Sequence, residues 1–180
     1  MPQAVAHILI PLILLSLFRD YYIKRKGRKR FPLNYVFIAG ISGIIPDLDV
    51  AAFWILNFFG YTYNEIHRTF MHSVFIPLIF VVLALLFVGK NMPWFGRHKL
   101  KLNIIFWMIA LGSFSHLILD AIFSGQIMPF YPFSYYSIGL NLFDYLPNAL
   151  RIIAAPSLDA GLLIIWLIYI EWKHKISDFI

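Results

Sequence analysis

Two polar residues near the end of a long apolar stretch have the spacing of a metal-binding pair. His116 and Asp120 are four residues apart in a predicted helix over 102–123, so their side chains project from the same face, one turn apart. An imidazole and a carboxylate are two of the ligand types that zinc takes in proteins. The pair therefore predicts part of a metal centre, and the alternative is a polar contact between packed helices.

An acidic pair follows a predicted break in another apolar stretch. Asp47 and Asp49 come directly after Pro46, and on a continuous helix their side chains would point in different directions. A turn at the proline, with Asp47 capping the helix that restarts, lets both carboxylates converge. Two adjacent buried carboxylates repel unless a cation or a proton lies between them, which favours a functional site over a simple capping motif.

The composition places these residues in a membrane protein. Of the 180 residues, 61% are hydrophobic and only 13% are charged, which is too little charge for a water-soluble surface. The aromatic content of 18% excludes a disordered chain, and the absence of Cys excludes disulfides, thiolate nucleophiles and Cys zinc sites. The net charge of +6 indicates the membrane surface, because the basic residues cluster between the apolar stretches.

Five apolar stretches are long enough to cross a bilayer when tilt is allowed. They run approximately over 4–18, 35–60, 74–89, 102–123 and 152–170. The second is interrupted by Gly40, Gly43 and Pro46, so we expect a broken helix whose irregular backbone faces protein or a water-filled cavity. The sequence predicts one integral membrane domain over 1–180: an all-α polytopic membrane helix bundle of about five transmembrane helices, with helix 2 broken at Gly43-Pro46.

Lys and Arg residues predict the orientation, because positive flanks stay in the cytoplasm. Basic clusters over 19–30, 90–101 and 173–175 all fall on one side, which places the N-terminus outside and the C-terminus in the cytoplasm. A rise of about 1.5 Å per residue from these clusters puts seven ionisable residues at one depth, about 18 to 28 Å away. They are His7, Asp47, Asp49, His72, His116, Asp120 and Asp159. Ionisable residues at such depth usually line a cavity or a pathway.

The remaining polar residues leave alternatives open. His67 and His72 are five residues apart and do not share one helix face, so at least one is expected in a loop or at a helix start. Arg68 is either an interfacial anchor or a group that grips an anionic substrate. Arg151 is a candidate for substrate contact that a helix start explains equally well. His98 lies among cytoplasmic Lys and Arg residues and is expected to be solvated.

An ordered set of polar elements resembles a known family. The elements are His7, Pro46-Asp47-Leu48-Asp49, His67-Arg68-Thr69-Phe70-Met71-His72-Ser73 and His116-Leu117-Ile118-Leu119-Asp120. The set resembles the YdjM-like family of membrane-bound metal-dependent hydrolases over residues 7 to about 135. That family is distantly similar to zinc-dependent phospholipase C, an all-helical protein in which His and Asp side chains hold zinc against a phosphodiester. The resemblance implies a protein of the prokaryotic cytoplasmic (inner) membrane.

The resemblance and the shared depth together imply a metal site. Its expected ligands are His7, Asp47, Asp49, His67, His72, His116 and Asp120. Zinc is the expected metal, in one or more copies, and the same nitrogen and oxygen ligands also suit manganese or iron. The expected catalytic residues are Asp49, Arg68 and Asp120. The expected substrate-binding residues are Arg68, Ser73 and Arg151.

These residues predict a membrane-embedded metal-dependent hydrolase that uses a metal-activated water at the extracytoplasmic side. The expected partners are the membrane and a lipid or phosphoester substrate, with a phosphoester or phospholipid as the leading class and no nucleic acid. The main alternative is an ion, proton or small-solute transporter, since intramembrane His and Asp groups beside a broken helix also build ion pathways. A non-enzymatic protein whose basic 19–30 loop binds proteins or anionic lipids is the second alternative.

Cysteine labelling tests the predicted orientation. Because the chain has no Cys, a single introduced thiol reports on one position. Gly27→Cys should resist an impermeant thiol reagent in intact cells and react once the membrane is opened, whereas Tyr61→Cys should react in intact cells. Labelling of Gly27→Cys in sealed cells would overturn the orientation.

Overall fold

Helices make up nearly all of the regular structure. The computed structural model describes residues 4–26, 31–92, 100–123 and 125–174. The helices are α1 (Ala4–Lys26), α2 (Leu33–Ser42), α3 (Asp49–Leu56), α4 (Tyr63–Ile66), α5 (Phe75–Leu86), α6 (Leu102–Phe123) and α7 (Asn148–His174). Short 3-10 turns occupy Ile45–Leu48, Asn57–Phe59, Phe70–His72 and Leu142–Tyr145. The prediction of an all-α helical bundle is confirmed.

A two-stranded antiparallel ribbon precedes α6. Its strands are β1 (Asn91–Met92) and β2 (Leu100–Lys101), with Asn91 opposite Lys101. The loop between the strands, which includes His98, lies outside the described residues, as do several basic residues of the predicted cytoplasmic clusters. These are Arg28, Lys29, Arg30, Arg97, Lys99 and Lys175.

The described part of the chain contains three continuous candidates for membrane spans, which are α1, α6 and α7. A fourth candidate is α2 together with Ile45–Phe59, and this pair is bent by 48° at the break. The predicted third span over 74–89 is shorter than expected, because α5 has only 12 residues. At a rise of about 1.5 Å per residue it is about 18 Å long, well below the roughly 30 Å of a hydrocarbon core.

The core of the bundle lies between α1, α2 and α6. Leu12 from α1, Val36 and Ala39 from α2 and Met108 from α6 are buried together. The buried residues of α1 are Ala6, His7, Leu9, Pro11, Leu12, Ser16 and Asp20, and five of them, Ala6, Leu9, Leu12, Ser16 and Asp20, form a stripe. Its spacing of three or four residues is that of one helix face, so this face of α1 is turned toward the other helices.

The break after α2 follows from its sequence. Gly43 ends the helix, and Pro46 lies in the first turn of the 3-10 segment that follows. The residue before α3 is Leu48, and no side chain caps that helix. The expectation that Asp47 caps the restarting helix is therefore wrong, because its carboxylate faces two histidine rings instead of backbone N–H groups.

Small residues let three helix backbones approach one another closely. A Cβ atom on Gly112 would collide with the carbonyl oxygen of Ala39 and the side chain of Ser42. A Cβ atom on Gly43 would likewise collide with the carbonyl oxygen of His7. Close helix contacts in membranes are commonly built on such small residues, and here they draw α6 and the start of α1 onto the break.

The connection over 125–147 packs against the ends of α5 and α6. Ile127 and Ile138 pair as an isolated antiparallel bridge, which folds the segment back on itself. The backbone N–H of Val74 donates to the carbonyl of Pro129 at 2.9 Å. These bonds hold the connection over the segment that leads into α5.

Helix α7 is attached to α1 at two levels. Near the start of α1, Asp159 Oδ1 accepts the backbone N–H of Ala6 at 3.0 Å. Near its end, Asp20 Oδ2 accepts the hydroxyl of Tyr169 at 2.8 Å and lies 3.1 Å from Lys173 Nζ. Because most of its other side chains are at least partly exposed, α7 lies at the side of the bundle.

Glycine substitutions test the close packing of α2 on α6. Gly112→Ala should lower the free energy of unfolding by about 1 to 3 kcal/mol, because the added methyl group must displace backbone atoms. Gly161→Ala is the matched control, since nothing lies within 4 Å of its Cβ position. The control should be neutral or stabilising by up to about 1 kcal/mol. Thermal unfolding in detergent measures both, and equal effects would contradict the proposed packing.

Candidate metal centre

Four parts of the chain converge on one cluster of histidines and carboxylates. His7 comes from the start of α1, two aspartates from the break after α2, two histidines from the segment before α5, and the last pair from α6. The members are His7, Asp47, Asp49, His67, His72, His116 and Asp120. All but Asp47 are buried. The structure thus brings together the seven residues expected as metal ligands.

The centre of the cluster is formed by four atoms. His72 Nε2 lies 3.2 Å from His116 Nε2. Asp120 Oδ2 is 3.5 Å from the first nitrogen and 3.7 Å from the second. Asp47 Oδ1 is 3.6 Å and 3.5 Å from the same two nitrogens. Each of the two carboxylate oxygens therefore lies 3.5 to 3.7 Å from both imidazole nitrogens.

The outer nitrogens of both rings face acceptors. His116 Nδ1 lies 2.7 Å from the carbonyl oxygen of Gly43, so Nδ1 must carry the hydrogen. His72 Nδ1 lies 3.0 Å from Asp49 Oδ2, which favours a hydrogen on Nδ1 there as well. In a neutral imidazole the other nitrogen is then an acceptor. When both rings are neutral, each Nε2 is therefore an acceptor beside the two carboxylate oxygens.

This arrangement fits a zinc ion. Zinc bonds of about 2.0 to 2.2 Å in a tetrahedral site place any two ligand atoms about 3.3 to 3.6 Å apart, and the separations among His72 Nε2, His116 Nε2 and Asp120 Oδ2 are 3.2 to 3.7 Å. Asp47 Oδ1 lies 3.5 to 3.6 Å from the same two nitrogens. Asp120 Oδ2 is buried and has no hydrogen-bond partner among the described residues. A buried acceptor without a donor is unfavourable unless a cation lies nearby, and the described cation nearest to this oxygen is Arg68, with Nε 3.8 Å away.

Asp49 lies behind the imidazole rings. Its Oδ1 accepts the Nδ1 hydrogen of His67 at 2.9 Å, and its Oδ2 faces His72 at 3.0 Å and accepts the backbone N–H of Arg68 at 3.1 Å. A carboxylate on the outer nitrogen of a ligating histidine fixes the ring and raises its basicity. Asp49 thus has the geometry of a supporting carboxylate for His72, and Asp47 rather than Asp49 faces the central atoms.

His67 and His72 both lie outside the α-helices, as their spacing predicts. His67 directly follows α4, and His72 ends a 3-10 turn.

The start of α4 is fixed by a capping box in which the backbone N–H and the hydroxyl of Thr62 both donate to Glu65 at 2.7 Å. These bonds lower the pKa of the exposed Glu65 carboxyl.

His7 offers a further ligand position. Its ring stacks on that of His116 at 3.8 Å, and its Nε2 lies 3.5 Å from Asp120 Oδ1. His7, Asp47 and His116 form a second triplet with ligand atoms within 4.8 Å, and Asp47, His67 and His72 form a third. The triplets share Asp47, His72 and His116, so they are overlapping parts of one cluster.

Arg68 borders the cluster. Its backbone is in the left-handed region, with φ of 64°, which turns the side chain back toward α6. Nε lies 3.8 Å from Asp120 Oδ2. The guanidinium packs against Gly125, where a Cβ atom would collide with it. Because Gly125 has no side chain, the guanidinium of Arg68 can occupy this space.

The other expected substrate contacts lie apart from the central atoms. Ser73 is fully buried and donates to the carbonyl of Phe70 at 2.7 Å. Arg151 is exposed and pairs with the exposed Asp144 at 3.4 Å. Among the described residues, the side-chain partners of Ser73 and Arg151 are thus the Phe70 carbonyl and Asp144, not members of the cluster.

Three supporting contacts are not evident from the sequence. Gly43 is recognisable there only as a helix breaker, yet its carbonyl accepts a hydrogen bond from His116. Gly125 carries no sequence signal for its contact with Arg68. Tyr63 stacks on His67 at 4.7 Å, and its position four residues earlier is the one available hint.

Comparison with known families supports the prediction that the chain is a membrane protein. A model of the YdjM inner membrane protein family matches residues 1–175. The chain belongs to this family. No curated protein and no solved structure matches it significantly. Membership of the YdjM family, with the apolar helices, identifies a membrane protein, and the matched range includes every residue of the histidine and aspartate cluster.

Metal content tests the central atoms directly. His116→Ala and Asp120→Asn should each lose bound metal, because an amide is a much poorer zinc ligand than a carboxylate. Asp49→Asn should retain the site with metal affinity lowered about 10- to 100-fold, as for a supporting carboxylate. Elemental analysis of purified protein and competition with a chelator measure these effects.

Two controls accompany these variants. Asp144→Asn matches the carboxylate change at an exposed position, and His98→Ala matches the histidine change in the predicted cytoplasmic loop. Both should leave metal content unchanged. If His116 and Asp120 were only a packing contact, their variants would lose about 0.6 to 2 kcal/mol of stability and keep the metal.

Proposed function

We propose that this member of the YdjM family is a membrane-embedded metal-dependent hydrolase. The observation that carries the proposal is that His72 Nε2, His116 Nε2 and Asp120 Oδ2 lie 3.2 to 3.7 Å from one another, with Asp47 Oδ1 3.5 to 3.6 Å from both nitrogens. Zinc is the metal that this set suits best, and manganese and iron accept the same ligands. His72, His116 and Asp120 would hold it, with Asp47 at the fourth side.

The chemistry of the site divides between the metal and the chain. A bound zinc ion supplies a Lewis acid and lowers the pKa of water toward about 7. Asp47 is the central carboxylate with the most access to solvent, since 26% of its side chain is exposed against 2% for Asp120. Asp47 is therefore well placed to accept a proton from an incoming water, whereas hydrogen bonds from two residues occupy Asp49.

Arg68 supports an anionic substrate. Its guanidinium borders Asp120 and is 20% exposed, so it is accessible from outside the cluster. Planar guanidinium groups bind phosphate oxygens through paired hydrogen bonds, and a fixed cation stabilises the charge that develops during phosphoester hydrolysis. Because the cluster lies within a bundle of membrane-spanning helices, a lipid with a phosphoester headgroup is the substrate class we propose.

The basic clusters orient the reaction. Lys24, Arg25 and Lys26 lie in the last turn of α1, and Lys173 lies near the end of α7. His7 lies in the first turn of α1, where Asp159, from the middle of α7, contacts Ala6. With the basic ends in the cytoplasm, the site opens at the extracytoplasmic side.

Hydrolysis of a phosphodiester by purified protein tests the proposal. Bis(p-nitrophenyl) phosphate and phosphatidylglycerol in nanodiscs are suitable probes. Activity should disappear with a chelator and return with zinc. Arg68→Gln should lower kcat/KM roughly 100-fold or more, the usual effect of removing one fixed donor from a developing oxyanion.

Arg25→Gln is the matched control, because Arg25 is exposed at the other end of α1. It should retain full activity. Turnover that persists after complete removal of metal would contradict metal-dependent hydrolysis. Solute flux through proteoliposomes without any turnover would favour a transporter instead.

A further inference from the structure

A cavity lies at the opposite end of the bundle from the metal centre. It has a volume of about 420 Å³ and opens between α1, α2 and α7. The residues that line it include Ser16, Arg19, Leu33, Phe37, Trp166 and Tyr169. Ser16 is nine residues beyond His7 on α1, about 13 Å along the helix axis. The cavity therefore shares no residue with the histidine and aspartate cluster.

Ser16 has an unusual environment for a helical serine. Its hydroxyl is buried and has no hydrogen-bond partner among the described residues, and the residue itself lines the cavity. Ser42 and Ser113, in contrast, donate to helix carbonyls at 2.6 Å and 2.9 Å. Buried hydroxyls normally have a partner, so the orphaned group indicates a ligand that supplies an acceptor or a donor.

Arg19 adds a positive charge to the same cavity. Its Nε donates to the carbonyl of Phe31 at 3.0 Å, and its Nη1 lies 4.0 Å from Asp20. Asp20 is closer to Lys173, at 3.1 Å. Arg19 and Lys173 therefore both face the carboxylate of Asp20, and Arg19 is the cation that lines the cavity.

We propose that this cavity binds an anionic phospholipid from the leaflet on the basic side of the membrane. Its phosphate would lie at Arg19, its acyl chain against Leu33, Phe37 and Trp166, and a glycerol ester group at Ser16. Ser16 is three residues before Arg19, about 4.5 Å deeper along the helix, which is the order of ester and phosphate in a phospholipid. Basic pockets between helices at the cytoplasmic side are typical sites for such headgroups.

Quenching of Trp166 fluorescence tests the site. A variant that keeps Trp166 and has Phe at Trp54, Trp94, Trp107 and Trp172 isolates one fluorophore that lines the cavity. Brominated phosphatidylglycerol should quench it at a several-fold lower lipid fraction than brominated phosphatidylcholine does. Inorganic phosphate at equal concentration should not relieve the quenching. Relief by phosphate would contradict lipid binding and would indicate that the cavity binds a free anion.

Three variants separate charge from structure. Arg19→Gln should abolish the preference for phosphatidylglycerol, whereas Arg19→Lys should keep most of it because the charge remains. Arg25→Gln is the matched control, since Arg25 belongs to the same basic cluster without lining the cavity, and it should keep the preference.

If an Arg19 variant fails to fold, the quenching measured on the Trp166 protein with Arg19 intact still tests the proposal. Equal quenching by the two headgroups in the Trp166 protein would overturn the proposal. An Arg19→Gln protein with normal monodispersity and an undiminished preference would overturn it as well. Phosphodiesterase activity is measured separately, so neither result depends on the proposed hydrolase.

Discussion

Two imidazole nitrogens 3.2 Å apart, with carboxylate oxygens beside them, are the constraint around which the structure is arranged. Their outer nitrogens face a backbone carbonyl and the carboxylate of Asp49, so in the neutral rings both inner nitrogens are acceptors. Asp47 and Asp120 add two more acceptors. Mutual repulsion of such groups is relieved by a cation, and the separations among His72, His116 and Asp120 are close to those between zinc ligands.

The packing of α1, α2 and α6 brings the histidines and carboxylates of the cluster together. His116 reaches the carbonyl of Gly43 only because α6 approaches the break at Gly112, where a Cβ atom would collide with α2. His7 reaches the cluster because the backbone of α1 lies against Gly43. The break itself frees the Gly43 carbonyl from the helix and directs Asp47 inward. Helix breaking and close packing are thus parts of the same site.

The sequence predicts the helical class, the break and the residues of the cluster because buried charged groups in apolar stretches are rare and conspicuous. It does not predict that Asp49 lies behind His67 and His72, since the two-residue spacing of Asp47 and Asp49 at a break leaves side-chain directions open. It also leads to the wrong expectation for Asp47, because Asp is a common capping residue and the competing histidines are distant in sequence. The contact of Arg68 with Gly125 depends on a left-handed backbone at Arg68, which a non-glycine residue does not signal.

The distribution of buried polar groups bears on the choice between an enzyme and a transporter. A transporter needs polar groups that continue from the cluster toward the basic end of the bundle. Among the described residues, Ser42 and Ser113 are buried near the α2 and α6 contact, but both hydroxyls are bonded to carbonyls of their own helices. Ser16 is the buried hydroxyl that lacks a partner, and it lines a cavity that opens at the basic end. The groups that remain accessible from the cluster, Asp47 and Arg68, are a carboxylate and a guanidinium beside the proposed metal ligands. That placement suits a site where a substrate enters, reacts and leaves by the same side.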